Sequence, residues 1–187
     1  ADAAAANPAL KPERMKGAEI GFDWFVAEHA RISATAFANR LDEAIANVTL
    51  GSGPGVFPGV GFVAAGGAFR QRQNLDAISA RGLEIDASYR VQNWRLQASY
   101  AYTRARVQGS GLALPLNGLR PAQVPSHMAS ATLGWKGLSL TGRYVSSQFE
   151  DDGNTRTLQD AITLDAVADI PVSDHVTLFA RGENITN

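Results

Sequence analysis

The residues of this chain that could do chemistry are few and scattered. His29, His127 and His175 lie far apart, and neither a nucleophile–base pair nor metal-ligand spacing accompanies them. The chain has no cysteine, which excludes disulfides and thiolate metal sites. The acidic stretch Glu150–Asn154 offers oxygen ligands for calcium but lacks EF-hand spacing, so a solvated acidic loop is the favoured interpretation. We expect no catalytic residue, no bound metal and no cofactor, and therefore no enzyme.

A basic, amide-rich stretch beside an apolar loop is the better candidate for binding. It follows a segment rich in glycine, proline and phenylalanine between residues 51 and 67. Guanidinium and amide groups suit carboxylate or catecholate oxygens of an anionic ligand. A polar strand extension, with the phenylalanines packing the loop, is an open alternative. The candidate ligand-binding residues are Arg70, Gln71, Arg72, Phe62 and Phe69.

The elements that must position these residues are β-strands. In SYRVQNWRLQASYAYT, residues 88–103, apolar residues such as Trp94 and Leu96 alternate with polar ones such as Arg95 and Gln97. A period of two predicts strands, and Gln92-Asn93 between them predicts a tight hairpin turn. The same pattern predicts strands over 17–26, 31–48, 69–91, 94–107, 127–135, 138–149, 162–170 and 176–184.

The predicted connections alternate strictly between short turns and long loops. The long ones include residues 51–67, in which 60–64 could form a short strand, 108–126 and 150–160. Segregating short turns and long loops in this way is typical of an up-and-down barrel of the outer-membrane type. The sequence therefore predicts an all-β, antiparallel, up-and-down transmembrane barrel segment of about eight strands.

The composition of the 187 residues agrees with this fold and excludes other classes. Seventeen basic and 18 acidic residues leave a net charge of −1. The chain therefore lacks the excess of basic charge that is expected of a nucleic-acid-binding protein. No run of about 18 apolar residues exists, so no transmembrane helix is expected. Near-neutral hydropathy does not count against a membrane barrel, because only alternate residues need to be apolar.

The two faces of the predicted strands have different expected environments. The tryptophans lie near short turns, where an interfacial girdle would place them. The apolar rows of alternate side chains that begin at the tryptophans end in arginines. There Arg81 is expected to face Arg104, with a lipid headgroup or lipopolysaccharide phosphate between them. Core tryptophans and solvated arginines are the alternatives. The candidate lipid-interface residues are Trp24, Trp94, Trp135, Arg81 and Arg104.

The opposite, charged face is expected to line the lumen. Its candidates are Glu84, Asp86, Arg90, Arg95, Arg143, Asp165 and Arg181. A five-residue turn over 171–175 would set Ile170 against Val176 and Asp165 against Arg181, which predicts a lumenal salt bridge.

Several ordered motifs resemble one known family. They are NPALKPE (7–13), GAEIGFD (17–23), TAFANRLDEAI (35–45), QNLDAISARGLEID (73–86), QVPSHMASATLGW (123–135) and RGENITN (181–187). Together they resemble the C-terminal half of TonB-dependent outer-membrane receptors, in order and over nearly the whole chain. One departure is Ile185-Thr186, where Leu-Phe is more usual.

The resemblance implies a barrel of about 22 strands, an N-terminal plug inside it and a periplasmic motif that engages TonB. Residues 1–187 are then expected to be the C-terminal portion of that barrel, with the plug domain and the final strand absent. The long loops would be extracellular, the short turns periplasmic, and the lumenal charges would hold the plug or one another. Implied partners are TonB, the plug, outer-membrane lipid with lipopolysaccharide, and a chelate such as a ferric siderophore.

Two alternatives to an energised outer-membrane receptor remain open from the sequence. One is a passive or structural small barrel, complete at eight strands. The other is a soluble β-sandwich that binds, for instance, carbohydrate. In the sandwich, the tryptophan rows would be buried against a second layer of the same chain.

Overall fold

A computed structural model describes residues 2–186, and these are almost entirely β-structure. A short 3-10 helix, Gly111–Leu116, lies between β9 and β10. The strands are β1 (Ala3–Ala5), β2 (Arg14–Ala27), β3 (Ala30–Asp42), β4 (Ile45–Ser52), β5 (Gly55–Phe57), β6 (Gly61–Val63), β7 (Ala68–Asn74), β8 (Ala77–Val91), β9 (Trp94–Gln108), β10 (His127–Trp135), β11 (Leu138–Val145), β12 (Gln148–Phe149), β13 (Thr157–Leu158), β14 (Ala161–Ser173) and β15 (Val176–Gly182).

Eight long strands form one antiparallel sheet in the order β2-β3-β8-β9-β10-β11-β14-β15, which is their order along the chain. Short turns at 28–29, 92–93, 136–137 and 174–175 lie at one end of this sheet, and the long loops lie at the other. The predicted up-and-down arrangement is therefore confirmed. Within residues 2–186 the sheet stays open, with β2 and β15 at its edges.

The predicted register of the central hairpins is also confirmed. Val91 pairs with Trp94, and Arg81 pairs with Arg104. Across the β10–β11 turn Thr132 pairs with Thr141, and their hydroxyl oxygens lie 2.8 Å apart. Because a slip of one residue would exchange the two faces of a strand, alternation is a strong guide to register here.

The predicted register of the last hairpin is wrong. Strand β14 continues to Ser173, with an irregularity between Pro171 and Ser173, so Ile170 pairs with Leu178 rather than Val176. A proline lacks the backbone N–H that donates hydrogen bonds between strands, so the sequence pattern predicts a turn at Pro171. Prolines do, however, occur in edge strands and at β-bulges. The error amounts to two residues, so each side chain stays on its predicted face.

Three long predicted strands are each divided in the structure. The segment 138–149 ends as β11 at Val145, and its last two residues form β12, which pairs with β13 in a separate two-stranded sheet. The segment 31–48 breaks after Asp42, where Glu43 has φ 56°, and 69–91 breaks around Leu75. Beyond these breaks, β4 pairs with β7, and β1 adds to β7 in parallel, which makes a separate three-stranded sheet. The loop 51–67 holds the β5–β6 hairpin, so the short strand expected within 60–64 is confirmed as β6.

The buried core lies under the long loops, at the loop end of the large sheet, to which it is joined through Val107 of β9. Its members are Ala44, Val48, Leu75, Val107, Ala113 and Leu116. On the large sheet Trp24, Trp94 and Trp135 keep 58%, 45% and 39% of their surface exposed, so no second layer within residues 2–186 covers them. In this part of the chain, no helix has the length and apolar character needed to cross a membrane.

Candidate functional site

The first of three surfaces on the molecule is the apolar face of the large sheet. Cross-strand pairing aligns its rows over all eight strands. We define this face by Ile20, Phe22, Trp24, Ile32, Leu83, Ile85, Trp94, Leu96, Leu133, Leu140, Leu164 and Leu178. Such a face costs free energy in water at roughly 25 cal/mol per Å² of apolar area, so it needs an apolar neighbour.

Aromatic side chains mark both ends of the apolar face. At the turn end, Trp94 pairs with Trp135 with ring centroids 6.0 Å apart, and Lys136 Nζ lies 4.7 Å from the Trp135 ring. At the loop end, the Tyr100 hydroxyl lies 2.8 Å from His127 Nδ1. Amphipathic rings at the two ends of an apolar band are the arrangement expected at two membrane–water interfaces.

The second surface is the polar face, on the opposite side of the same strands. The sequence-predicted lumen-facing residues all occupy positions of this face by strand alternation. Ser99 and Ser130 share a hydrogen bond of 2.8 Å across β9 and β10, and Arg90 pairs directly with Arg95. A groove of about 430 Å³ on this face is lined chiefly by hydroxyl, amide and charged side chains.

The ion pairs of the polar face differ from the predicted one. Asp165 binds Arg143 of the neighbouring strand and accepts a bond from the backbone N–H of Asn184 at 2.9 Å. Arg181 pairs instead with Glu183, and its partner across the ladder is Val167. The predicted bridge between Asp165 and Arg181 is therefore wrong, for the same reason as the register of that hairpin.

The third surface is the loop cluster, which we define as residues 2–13, 43–76, 109–126 and 146–160. Two asparagines hold its N-terminal segment in place. Asn74 accepts from the Lys11 N–H (2.8 Å) and donates to the carbonyls of Lys11 (3.0 Å) and Glu43 (2.6 Å). Asn7 donates to the carbonyl of Arg72 at 2.9 Å. These bonds bring the NPALKPE segment against β7.

The other loops are tied together in a similar way. Asn154 accepts from the Arg120 N–H at 2.9 Å and donates to the Arg120 carbonyl at 2.8 Å. The Arg120 guanidinium lies over the Phe149 ring, 5.4 Å from its centroid. Ser110 donates to Asp76 at 2.8 Å. The loop cluster is therefore one packed unit with its own core.

Asp151 organises the acidic loop that the sequence offered as a calcium site. Its carboxylate accepts from the N–H of Thr155 (3.1 Å), the Thr155 hydroxyl (2.9 Å) and the N–H of Arg156 (2.7 Å). Partial burial opposes the charged form, but these bonds outweigh it and hold the pKa of Asp151 below 3.8. Within residues 2–186 no cluster of three or more His, Cys, Asp or Glu is arranged to hold a metal ion.

The structure separates the predicted ligand-binding residues. Arg70 pairs with Asp2 at 3.2 Å, Gln71 donates to the Ala6 carbonyl at 2.7 Å, and Phe69 is buried against Phe57 with ring centroids 4.9 Å apart. These three groups hold the loop cluster together.

Arg72 and Phe62 remain accessible. The Arg72 side chain is exposed on β7, and it forms no ion pair or hydrogen bond with other residues of the described range 2–186. Phe62 keeps 68% of its surface exposed at the β5–β6 hairpin. A ligand approaching the loop cluster can therefore reach a free guanidinium and a free aromatic ring.

Sequence reasoning missed the residues that build the loop cluster. Asn7, Asn74, Asp151 and Asn154 bind backbone groups far along the chain or across a turn. The signal available was their residue type, because Asn and Asp commonly satisfy backbone groups in loops. Asn7 and Asn74 also lie inside two of the motifs quoted above.

Solved structures with the same fold include receptors and transporters. The ferric yersiniabactin uptake receptor FyuA from Yersinia pestis has a TM-score of 0.70 at 15% identity, over 93% of this chain and 25% of that chain. The FrpB iron transporter from Neisseria meningitidis has a TM-score of 0.66 at 19% identity, over 100% of this chain and 29% of that chain. The copper transporter OprC has a TM-score of 0.68 at 17% identity, over 96% of this chain and 26% of that chain. The chain thus spans about a quarter of their length.

At these identities the likeness to solved structures concerns the fold. No curated protein matches the sequence. The family model "TonB dependent receptor-like, beta-barrel" matches residues 1–185, and it agrees with the order of the strands and with the motifs. The chain therefore belongs to the TonB-dependent receptor β-barrel family.

Proposed function

We propose that this chain is the C-terminal part of the barrel of an outer-membrane receptor that takes up a scarce chelate, such as a ferric siderophore, driven by TonB. The observation that carries the proposal is the uncovered apolar face with tryptophans at its turn end. The family consists of outer-membrane receptors and transporters, which are not enzymes.

Lipid is the partner that the apolar face requires in this proposal. Its large side chains lie exposed in adjacent rows, with Ile20 and Phe22 at 77% and 63% exposure. Hydrocarbon would cover them without a second protein layer, and Trp94 and Trp135 would lie at the periplasmic interface. Arg81 and Arg104 would lie at the extracellular one.

In the same proposal the polar face lines the lumen and contacts a plug domain supplied by the preceding part of the protein. Hydroxyl groups and ion pairs such as Arg143–Asp165 give that face a hydrated surface. Rearrangement of the plug, when TonB pulls on it, would open the path for the cargo. Glu84, Asp86, Arg90 and Arg95 are proposed plug contacts.

The loop cluster would capture the chelate at the extracellular side. Its own core and cross-links support a defined shape, and the cluster exposes the Arg72 guanidinium and the Phe62 ring. A guanidinium can bind carboxylate or catecholate oxygens with charge-assisted bonds. Ferric siderophores expose such oxygens together with apolar groups.

Uptake of radiolabelled ferric chelates tests this function. We expect deletion of the full-length gene to abolish uptake of at least one hydroxamate, catecholate or carboxylate complex, and loss of TonB to have the same effect. Arg72→Gln should weaken that uptake about tenfold at limiting chelate, as expected for one lost charge-assisted bond. Lys136→Gln, at a short turn, is the control. Unchanged uptake of every chelate in the deletion strain would overturn the proposal.

A further inference from the structure

Two segments of the loop cluster carry no charge at all. Residues 44–69 and 109–119 contain no Asp, Glu, Lys, Arg or His. The first segment includes the β5–β6 hairpin, and the second includes the 3-10 helix. Four of their large apolar side chains lie outside the loop core with 61–77% of their surface exposed: Val56, Phe62, Leu112 and Leu114.

The β5–β6 hairpin presents an apolar pair on a fixed base. On one face of the hairpin, Phe57 stacks on Phe69, and Val63 is buried. On the other face, Val56 pairs directly with Phe62, and both side chains lie largely exposed. Adjacent exposed apolar groups indicate a binding surface more strongly than single ones do. Because the buried face holds the hairpin in place, this surface is formed before any ligand arrives.

The loop cluster as a whole is acidic. Its segments contain eight acidic and five basic residues, which gives a net charge of −3. A surface of one sign attracts ligands of the opposite charge and repels ligands of the same charge. A chelate that bears several negative charges is therefore disfavoured at this surface.

Most of the five basic groups are already engaged by the protein. Three pair with carboxylates at 3.2–3.4 Å: Lys11 with Glu43, Arg70 with Asp2, and Arg156 with Glu150. Arg120 donates to two backbone carbonyls at 3.2 and 3.4 Å. Within the described residues 2–186, Arg72 alone of the five has no such partner. The cluster can therefore match one anionic group of a ligand, but not several.

We propose that the cargo is an amphiphilic chelate with at most one net negative charge, whose acyl chain binds the Val56–Phe62 pair. This inference rests on the proposed function and narrows its substrate class. The exposed pair is uncharged and offers no side-chain hydrogen-bonding group, which suits a hydrocarbon chain. Covering the pair removes apolar area from water on both partners, and this burial stabilises the complex.

Equilibrium binding to the purified full-length protein in lipid nanodiscs tests the proposal. Four radiolabelled probes are compared: a neutral ferric tris-hydroxamate and a trianionic ferric tris-catecholate, each with and without one decanoyl chain. Nanodiscs without protein give the background from partition of the chain into lipid. We expect the acylated tris-hydroxamate to bind about tenfold more tightly than its unacylated form, because a few buried methylene groups suffice for that gain.

The same probes isolate the effect of charge. The acylated tris-catecholate should bind at least about tenfold more weakly than the acylated tris-hydroxamate at low salt. Raising the ionic strength should narrow this difference, because salt screens the repulsion between the loop cluster and the trianion. A difference that salt leaves unchanged would contradict the role assigned to the acidic loop cluster.

Val56→Ser/Phe62→Ser removes the apolar pair. This variant should bind the unacylated tris-hydroxamate like the wild type but should lose the tenfold gain from the acyl chain. The control is Leu158→Ser, which changes an exposed apolar side chain of the loop cluster in another hairpin, β12–β13. The control should keep the whole gain.

Three results would overturn the proposal: no gain from the acyl chain in the wild type, an equal gain in the double variant, or equal or tighter binding of the trianionic probes. The wild-type comparisons decide the question even if the double variant fails to fold, which its heat-modifiable mobility would reveal. Binding is measured without TonB or transport. A preference for trianionic chelates would therefore overturn this inference and leave the proposed uptake standing, whereas unchanged uptake in the deletion strain would leave the binding preference standing.

Discussion

At the scale of single residues, Asp151 fixes the conformation of the acidic loop by accepting three bonds from Thr155 and Arg156. Its folded-state pKa lies below 3.8, so its contribution to loop stability is present above that pH and disappears as the pH falls through the lower folded value. We expect hydrogen-exchange protection of residues 151–158 in the full-length protein, corrected for intrinsic rates, to be constant between about pH 5 and 7 and to fall only in stronger acid.

The same loop gives a mutational form of this prediction. Asp151→Asn should reduce the exchange protection of residues 151–158 about tenfold at neutral pH, since it weakens charge-assisted bonds. Asp160→Asn removes an equal charge from the same loop, where Asp160 forms no side-chain hydrogen bond within residues 2–186. Equal loss in both variants would mean that net charge, rather than these bonds, stabilises the loop.

Gly82 lies where β8 has no room for a side chain. A methyl group there would overlap the Tyr102 carbonyl oxygen and lie 2.6 Å from the Phe37 ring. Gly82→Ala should therefore destabilise the barrel by about 1–3 kcal/mol, the usual cost of overpacking. The measurement is the midpoint of heat-induced loss of the compact form on gels.

Gly142 provides the matched comparison for this substitution. It lies in β11 of the same sheet, and a methyl group there would meet only Leu164 Cδ1 at 3.9 Å, an ordinary contact. Gly142→Ala should leave the midpoint within error of the wild type. If both alanine variants melt at the wild-type midpoint, the close approach at Gly82 is not a packing constraint.

At the scale of one element, the proposed function gives the two faces of β9 different surroundings, lipid on one side and water on the other. Leu96 on the apolar face pairs with Tyr89 and Leu133, whereas Gln97 on the polar face pairs with Ser88 and Thr132. Leu96→Arg should cost about 2–4 kcal/mol of folding free energy in lipid vesicles near the bilayer midplane, and Gln97→Arg should cost little. Denaturant titration of the vesicle-inserted full-length protein measures both. Equal tolerance at the two positions would contradict the assignment of the apolar face to lipid.

The strands of the large sheet were predictable because each carries a clear period of two between turn residues. Alternation fixed the Val91–Trp94 hairpin and the faces of every charged residue considered, including those of the misregistered last hairpin. Prediction from the local sequence failed where tertiary contacts determine the ends of a strand. The breaks near Glu43 and Leu75 depend on burial of Ala44 and Leu75 in the loop core, which no periodicity reveals.

The candidate binding residues were predictable in type but not in role. Arg70 and Gln71 bind Asp2 and the Ala6 carbonyl, which lie more than sixty positions earlier in the chain. A sequence pattern at 70–73 cannot reveal partners so distant. Phe69 was offered as a ligand contact because of an apolar loop, and that loop packs on itself through Phe57. Only Arg72 and Phe62 keep the exposure that the prediction needs.

At the scale of the whole molecule, the chain combines two regions built for different surroundings. The loop cluster has a buried core and many side chain–backbone bonds, as a domain in water requires. The large sheet has an uncovered apolar face and two open edges, β2 and β15. Unpaired backbone groups in hydrocarbon cost several kcal/mol each, so in a membrane both edges need partner strands. These partners come either from further strands of a larger barrel or from pairing of β2 with β15.

Cross-linking distinguishes the two ways of satisfying the edges. The chain has no cysteine, so introduced pairs are unambiguous. Ala18→Cys with Ala38→Cys joins neighbouring positions of β2 and β3 and should cross-link with a short thiol reagent in the membrane-inserted full-length protein. Ala18→Cys combined with Leu178→Cys or Ala180→Cys should not cross-link in a larger barrel, because other strands lie between β2 and β15. Efficient cross-linking of these edge pairs would instead establish a closed eight-stranded barrel and, with it, a lumen too narrow for a plug.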